Sequence, residues 1–325
     1  MRIWLPVGML LAVLAALPMV ATGAAPARPT RIYVTNYLDD TVSVIDGDDN
    51  AVVATVRVGR APAGMAVSPD RRIVYIANSE SDTVSVLDSA TNRIARTITL
   101  PHGSRPVGLA LNPDGRQLYA ADGGSNRVSV INVQTRRVVA SVQVGRQPLS
   151  VAVSPDGSTL YTANSGSGDL SVINAHTMRL VRAIPTGRFP SGVAVTPDGR
   201  SVYVTNERSG VTVINAVTAT VQARLAAPSP FGVATSPDSS RAYVADLGPG
   251  TVTIIDTGER RVSGTIPIGP PGTDPFSAMA TDDAVYVVDQ GANTLSVLDA
   301  STLHVVATVS TGNSPYGIAV VPPGR

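Results

Sequence analysis

The sequence is organised by a short motif, Tyr-x-x-Asn or Tyr-x-x-Asp, that recurs seven times at nearly regular intervals. Successive motif tyrosines are 42, 44, 42, 42, 40 and 43 residues apart. They are Tyr33, Tyr75, Tyr119, Tyr161, Tyr203, Tyr243 and Tyr286. A repeat of this length is one supersecondary unit that is too small to bury its apolar faces alone, so the repeats are expected to pack against one another.

Each repeat contains four consecutive strand signals. In the repeat around Tyr119 these are residues 106–111, 117–122, 127–132 and 137–144. The runs are rich in β-branched residues and are bounded by Gly, Pro, Asn, Asp or Ser, which is typical of short antiparallel strands. No segment shows a sustained helical period with caps. The pattern therefore predicts an all-β fold, a seven-bladed β-propeller of four-stranded antiparallel blades.

The two ends of the chain are expected to share the closing blade. We label the strands of a blade a to d from the channel axis outward. The predicted a strands begin at Pro62, Pro106, Pro148, Pro190, Pro230, Pro275 and Pro315. The first repeat lacks its own strand a, because Arg31 already opens strand b, and the last strand a has no b, c or d after it. The C-terminal strand is thus predicted to join the three N-terminal strands, giving a single domain over residues 28–325.

Composition supports this fold and excludes several kinds of chemistry. The chain is 43% hydrophobic and 15% charged, with 29 Gly and 25 Pro, which suits a turn-rich globular protein. Its formal net charge of +1 gives no overall basic field for nucleic acid or anionic membranes. The absence of Cys excludes disulfides and thiolate sites, and the absence of Lys excludes Schiff-base chemistry. Neither a Walker loop, a dinucleotide fingerprint nor a Gly-x-Ser-x-Gly elbow is present.

The N-terminal residues 1–27 are predicted to be a secretory signal peptide and a short linker. Arg2 supplies the positive start, residues 9–17 are continuously apolar, and residues 21–25 offer small side chains for cleavage. Pro6 and Pro18 bracket the apolar run and make it a poor membrane span. The expectation is a secreted or periplasmic protein with no membrane span after cleavage, and an uncleaved anchor is the alternative.

Aromatic and arginine side chains are predicted to meet on one face. Because propeller strands alternate in direction, the b–c and d–a loops share a face, which we call the mouth face. Outside the signal, the aromatics other than the motif tyrosines are Tyr37, in a b–c loop, and four residues beside an a-strand proline. The predicted ligand-binding residues are Arg60, Arg105, Arg146, Arg188, Phe189, Phe231, Phe276 and Tyr316. Bidentate arginines and stacking rings would suit an anionic, partly apolar or planar ligand. The alternative is that the aromatics plug the channel and the arginines keep the rim soluble.

No metal site, cofactor or catalytic residue is predicted. His102 falls on the mouth face, whereas His176 and His304 fall on the opposite face, so a shared metal is not expected. Residues 46–50 mimic the start of a calcium loop, but Arg57 stands where a bidentate Glu is needed.

The polar residue that ends each strand b is expected to form local hydrogen bonds. These residues are Asn36, Asn78, Asp122, Asn164, Asn206, Asp246 and Asp289. Paired carboxylates for acid–base work stay open among the three aspartates.

The repeats resemble a known family. Residues 32–36 (Ile-Tyr-Val-Thr-Asn), 41–46 and 192–199 are similar to the YVTN-type β-propeller repeat, and the resemblance covers roughly residues 31–322. That family includes extracytoplasmic YncE-like binding proteins and surface-layer proteins. It is distantly similar to haem d1, quinoprotein and lactonase propellers. Haem d1 or quinone cofactors are not expected here, since His102 is the only histidine predicted at the mouth and Trp4, the only tryptophan, lies in the predicted signal.

Taken together, these features favour a non-enzymatic, monomeric binding module or scaffold. Its mouth face is expected to hold a small ligand, a glycan or a protein partner. Two alternatives stay open. The resemblance would permit a lactonase-type hydrolase, and the arginines would permit nucleic-acid or cell-surface binding, although the near-neutral charge counts against nucleic acid.

Overall fold

The computed structural model describes residues 30–323, and every regular element in that range is a β-strand. Its 28 strands form seven four-stranded antiparallel sheets, so the predicted seven blades are confirmed. The a strands pack side by side in chain order, and the last one, β28, also lies against β4, so the blades close into a ring. The predicted signal peptide lies outside the described residues. None of the described residues forms a helix that is long and apolar enough to cross a membrane.

The two inner strands of each blade surround the channel and the core. The a strands are β4 (Pro62–Val67), β8 (Pro106–Leu111), β12 (Pro148–Val153), β16 (Pro190–Val195), β20 (Pro230–Thr235), β24 (Pro275–Ala280) and β28 (Pro315–Val321). The b strands are β1 (Arg31–Asn36), β5 (Ile73–Asn78), β9 (Gln117–Asp122), β13 (Thr159–Asn164), β17 (Ser201–Asn206), β21 (Arg241–Asp246) and β25 (Ala284–Asp289). All seven predicted a-strand starts are confirmed.

The two outer strands of each blade extend to the rim. The c strands are β2 (Thr41–Asp46), β6 (Thr83–Asp88), β10 (Arg127–Asn132), β14 (Asp169–Asn174), β18 (Gly210–Asn215), β22 (Thr251–Asp256) and β26 (Thr294–Asp299). The d strands are β3 (Ala51–Arg57), β7 (Arg93–Thr99), β11 (Arg137–Gln143), β15 (Arg179–Pro185), β19 (Thr220–Leu225), β23 (Arg261–Pro267) and β27 (Val305–Ser310). The b and c strands are buried along most of their length, whereas the d strands are largely exposed.

The closing blade, blade 1, has the strand order β28-β1-β2-β3, as predicted. β1 pairs with β28 from Arg31↔Val321 to Asn36↔Pro315, which places the last strand of the chain at the channel. Blades 2 to 7 follow in sequence from β4–β7 to β24–β27.

The core consists of apolar clusters that lie between neighbouring blades. In one, Tyr33 and Val44 of blade 1 pack with Ile76 and Leu87 of blade 2. The seven motif tyrosines are all at most 6% exposed, which confirms their predicted position between blades. Because each cluster uses side chains from two blades, no blade has a complete core of its own.

Candidate ligand-binding site

The mouth face is built by seven d–a loops that end in the same backbone conformation. The residue before each strand-a proline has a positive φ, between 49° and 56°. These residues are Ala61, Arg105, Gln147, Phe189, Ser229, Asp274 and Ser314. This left-handed conformation is uncommon for residues other than glycine, so the loops must be held in place by their surroundings.

Side chains from neighbouring b–c loops hold several of these turns. The backbone N–H of Ala61 donates to Asp40 Oδ1 at 2.9 Å, and that of Arg105 donates to Asp82 Oδ1 at 2.8 Å. Asn126 accepts the equivalent bond from Gln147 at 2.9 Å. The carboxylates of Asp40 and Asp82 on the mouth face therefore hold the backbone of the neighbouring d–a loops in place. Backbone bonding lowers the pKa of Asp82, against an opposing effect of burial, so its charged form is favoured.

Three of the predicted aromatics occupy one structural position, directly after the strand-a proline, in three adjacent blades. The ring centroids of Phe231 and Phe276 are 4.0 Å apart, and those of Phe276 and Tyr316 are 4.5 Å apart. Tyr37, from the b–c loop of blade 1, stacks on Tyr316 at 5.8 Å. We call these four residues the aromatic row. Each ring lies within contact distance of the next, so the row packs as one cluster across blades 6, 7 and 1.

The channel beside the aromatic row is almost closed. A cavity of about 160 Å³ is lined by a-strand residues of all seven blades, including the three rings of the row that belong to a strands. Neighbouring a strands approach closely there, because a Cβ placed on Gly317 would lie 2.3 Å from the carbonyl oxygen of Ala63. Pockets for drug-sized ligands measure about 300–1,000 Å³. The channel is therefore too small for such a ligand, and a larger molecule would have to rest on the mouth face.

Phe189 lies apart from the aromatic row. It precedes Pro190 instead of following it, and its side chain is 40% exposed. The guanidinium of Arg208 lies 5.3 Å from the centroid of its ring, a cation–π contact. The structure therefore groups Phe189 with arginines of blade 5 and not with the other predicted aromatics.

The four predicted arginines are all exposed at the mouth. The Arg60 guanidinium donates to the carbonyl oxygen of Glu80 at 2.8 Å. The backbone N–H groups of Arg146 and Arg188 each donate to a serine hydroxyl, of Ser167 and Ser209, at 3.0 Å. Within residues 30–323, no carboxylate lies within salt-bridge distance of Arg60, Arg105, Arg146 or Arg188. Their backbones are fixed while their charges face solvent.

The residues that end the b strands are buried and locally bonded, as predicted. In asparagine blades the amide donates to hydroxyls of strand c, as from Asn78 to Thr83 at 3.0 Å and to Ser85 at 2.9 Å. In aspartate blades a hydroxyl donates instead, as from Ser129 to Asp122 at 2.5 Å. Each aspartate thus has its own hydroxyl partners, and the structure forms no carboxylate pair from them.

Burial raises the pKa of these three aspartates, which the sequence did not reveal. The pKa of Asp122 is raised to about 7, and those of Asp246 and Asp289 to about 6. One carboxylate oxygen of each, Oδ1, has no hydrogen-bond partner among the described residues. Among the described residues no three His, Asp or Glu side chains form a group that could hold a metal.

A groove between blades 5 and 6 was not predicted. Its volume is about 750 Å³, and it is bordered by Arg208, Arg224, Leu225 and Pro228. The Arg224 guanidinium donates to the carbonyl oxygens of Thr186 and Pro185 in blade 4. The sequence held one signal for this groove: the shortest repeat, 40 residues between Tyr203 and Tyr243, has a three-residue b–c loop and a six-residue strand d.

Comparison with known proteins agrees with this architecture. The profile of the YNCE-like β-propeller family matches residues 2–170, and that of the family described as "Lactonase, 7-bladed beta-propeller" matches residues 139–223. No curated protein matches the sequence.

Among solved structures, a similar chain is the Kuenenia stuttgartiensis hydrazine synthase, with a TM-score of 0.76 and 22% identity, covering 88% of this chain and 99% of that one. Another is dihydro-heme d1 dehydrogenase NirN, with a TM-score of 0.66 and 17% identity, covering 89% of this chain and 74% of that one. At such identities the likeness concerns the fold alone.

Proposed function

This chain belongs to the YNCE-like β-propeller family, and on that premise we propose that it is a rigid, non-enzymatic binding module of the extracytoplasmic space. Its ligand is planar and anionic and rests on the mouth face. The observations that carry the proposal are the aromatic row in blades 6, 7 and 1 and, in the loops before blades 2 to 5 of the same mouth face, four exposed arginines that have no carboxylate partner among residues 30–323.

The two groups of side chains supply complementary interactions. Phe276 is buried within the aromatic row, and the partly exposed rings of Phe231, Tyr316 and Tyr37 offer their edges to a planar molecule. The exposed guanidinium groups of Arg146 and Arg188 offer paired N–H donors to carboxylate, sulfonate or phosphate. The loops that carry the arginines are anchored through their backbones, so little ordering is needed on binding. The narrow channel favours a ligand that covers the mouth over one that enters it.

The proposal is tested with a planar aromatic sulfonate, 8-anilinonaphthalene-1-sulfonate, as the probe. Saturable binding to the folded protein is expected by fluorescence titration. The double variant R146A/R188A should bind the probe at least about tenfold more weakly, since hydrogen bonds to charged groups contribute about 1.5–3 kcal/mol each. Its melting temperature should not change, because both side chains are exposed.

The matched control is R57A/R96A, which removes two exposed arginines from d strands of blades 1 and 2. It should leave the affinity for the sulfonate within about twofold of the wild type. Equal losses in both double variants, or a fall in melting temperature together with affinity, would refute a mouth-face site.

The location outside the cytoplasm rests on the predicted signal in residues 1–27 and on the family's extracytoplasmic members. Cell fractionation after expression of the full chain, followed by N-terminal sequencing, tests it. A mature protein that begins within or just after residues 21–25 is expected. Recovery of the protein in the cytoplasm with Met1 intact would refute the location.

A lactonase-type hydrolase is the second candidate, favoured by the lactonase-family match to residues 139–223. If the protein is such a hydrolase, it should release acid from simple lactones in a pH-stat assay. The rate of release should be proportional to the concentration of folded protein. Heat-unfolded protein is the control. A rate equal to that of the buffer would remove this candidate and leave the binding module unaffected.

A further inference from the structure

Charge is distributed very unevenly around the ring, although the net charge of the chain is only +1. Residues 123–197, in blades 3 to 5, contain seven arginines and two carboxylates. The arginines are Arg127, Arg136, Arg137, Arg146, Arg179, Arg182 and Arg188. Residues 242–314, a stretch of similar length in blades 6 and 7, contain two arginines and eight carboxylates. We call the surface that carries the seven arginines the cationic sector.

The two carboxylates of this stretch do not neutralise the sector. Asp156 lies in an a–b turn on the face opposite the mouth, where it accepts bonds from Ser154 and Ser158. Asp169 accepts from the Asn164 amide. Within residues 30–323 no carboxylate lies within salt-bridge distance of any of the seven arginines. The sector therefore keeps its positive charge for an outside partner.

The centre of the sector is the outer edge of blade 4. Of the d strands described, only β15 (Arg179–Pro185) has its first five residues all exposed. Leu180 is 45% exposed and Val181 is 66% exposed, and Val139 on the neighbouring β11 is 57% exposed. β11 and β15 lie close together, so these aliphatic side chains and the arginines around them form one rim surface.

Edge protection does not account for this combination. Charged side chains on outer strands prevent edge-to-edge aggregation, but either sign of charge serves that purpose. Protection would also remove exposed aliphatic side chains from the edge, whereas Leu180 and Val181 stand between Arg179 and Arg182. Arginine is instead enriched, and aspartate and glutamate are depleted, at surfaces that bind protein.

We propose that the rim of blades 3 and 4 is a docking site for an extended acidic segment of a partner protein, which lies along β15. Arg179 and Arg182 would hold its carboxylates, and Leu180 and Val181 would contact its apolar side chains. Because Val181 is the extra residue of a β-bulge, the free edge of β15 would pair with the peptide backbone beyond it, from Arg182 onward. β15 has a strand neighbour, β14, on one side only. Strand addition at such an edge is a common mode of peptide recognition.

The same features favour a peptide over other polyanions. A lipid headgroup or a nucleic-acid phosphate cannot pair with a row of strand amides and carbonyls as a peptide does. β11 and β15 also contain no aromatic residue on which the bases of a single strand could stack.

The test uses a short synthetic peptide of alternating glutamate and valine, with the glutamine–valine peptide as its control, and measures binding by fluorescence anisotropy at low salt. The glutamate peptide should bind and the glutamine peptide should not. R179E/R182E should weaken binding at least about tenfold, and so should L180S/V181S, because charge and apolar contact act together.

The matched control is R57E/R96E, which makes the same change in charge on exposed d-strand positions of blades 1 and 2. It should alter the affinity by less than about threefold. Circular dichroism melting of all variants should match the wild type, since the exchanged side chains are exposed. Equal losses in both charge-reversal variants would show a non-specific field and overturn the proposal.

Three further outcomes would also overturn it. Binding to phosphatidylglycerol vesicles but not to the peptide would assign the sector to a membrane. Binding to single-stranded DNA but not to the peptide would assign it to nucleic acid. Self-association in sedimentation that R179E/R182E abolishes, without peptide binding, would make the partner a second copy of this chain. Arg179 and Arg182 lie outside the mouth-face residues, so the sulfonate titration and this experiment fail or succeed independently.

Discussion

Strand b ends in asparagine in four blades and in aspartate in the other three. The two side chains occupy the same position, but their hydrogen bonds to strand c run in opposite directions. In blade 2 the Asn78 amide donates to the hydroxyl of Ser85, whereas in blade 3 the hydroxyl of Ser129 donates to Asp122. A serine hydroxyl can serve in either role, so the surrounding strand needs no other change. The difference is that one group is neutral and the other ionises while fully buried.

This comparison shows which blades make stability depend on pH. The aspartate pKa values of about 6 to 7 lie above the ordinary value of 3.8, because burial disfavours the charged form. Between these values the folded state binds more protons than the unfolded state, so stability falls as pH rises. The turn aspartates Asp156 and Asp238 behave oppositely, since hydroxyl bonds from Ser154 and Ser236 hold their pKa at about 2. Their contribution is lost as pH falls from 3.8 towards 2.

The largest effect is expected when all three aspartate blades are converted to the asparagine type. The variant D122N/D246N/D289N should be more stable than the wild type at about pH 8, by roughly 3 to 4 kcal/mol per site, and nearly equal at about pH 4. Urea unfolding between these pH values measures the difference. A wild-type stability that does not fall across this range would contradict the raised pKa values.

The reverse exchange in an asparagine blade sharpens the comparison. N78D places a carboxylate in the same buried position, and it should lower the free energy of unfolding by about 3 kcal/mol at about pH 8 and by less than about 1 kcal/mol at about pH 4. The backbone N–H of Gly59, which donates to Asn78 Oδ1 at 3.2 Å, would remain as a partner for the new carboxylate. The matched control is D122N, which should shift stability in the opposite direction. Equal destabilisation at both pH values would point to packing instead of charge.

The smallest effect concerns the hydroxyl partners themselves. S129A removes a donor to a carboxylate and should destabilise by about 2 kcal/mol at about pH 8, whereas S85A removes an acceptor from a neutral amide and should cost about 1 kcal/mol at any pH. Only S129A should become more destabilising as pH rises. Parallel pH profiles for the two variants would show that the two blade types do not differ in this way.

The fold followed from the sequence because its signals repeat. Seven copies of one pattern fixed the number of blades, and the complementary gaps at the two ends predicted that β28 would join β1. The strand-a prolines placed Phe231, Phe276 and Tyr316 at the mouth for the same reason. Whether these residues and the mouth arginines bind a ligand stays a prediction.

Features that depend on one repeat alone could not be predicted. Phe189 adjoins a proline, as the other mouth aromatics do, but its place before Pro190 gives it a positive φ, and its ring contacts Arg208. The raised pKa of Asp122 depends on how completely strand b is buried. The groove beside Arg224 arises from a shortened loop and strand, whose effect appears only when blades 5 and 6 are adjacent.

The position of β28 also sets the order in which the molecule can be completed. Ile318 and Val320 pack with Ile32 and Val34 of β1 and with side chains of blade 7, and Gly317 donates its N–H to the hydroxyl of Thr35. In a chain synthesised from its N-terminus, the apolar side chains of β1 and blade 7 that pack against β28 therefore stay uncovered until this seven-residue strand has been made. Loss of β28 would leave six complete blades and three strands of blade 1 without the strand that closes the ring.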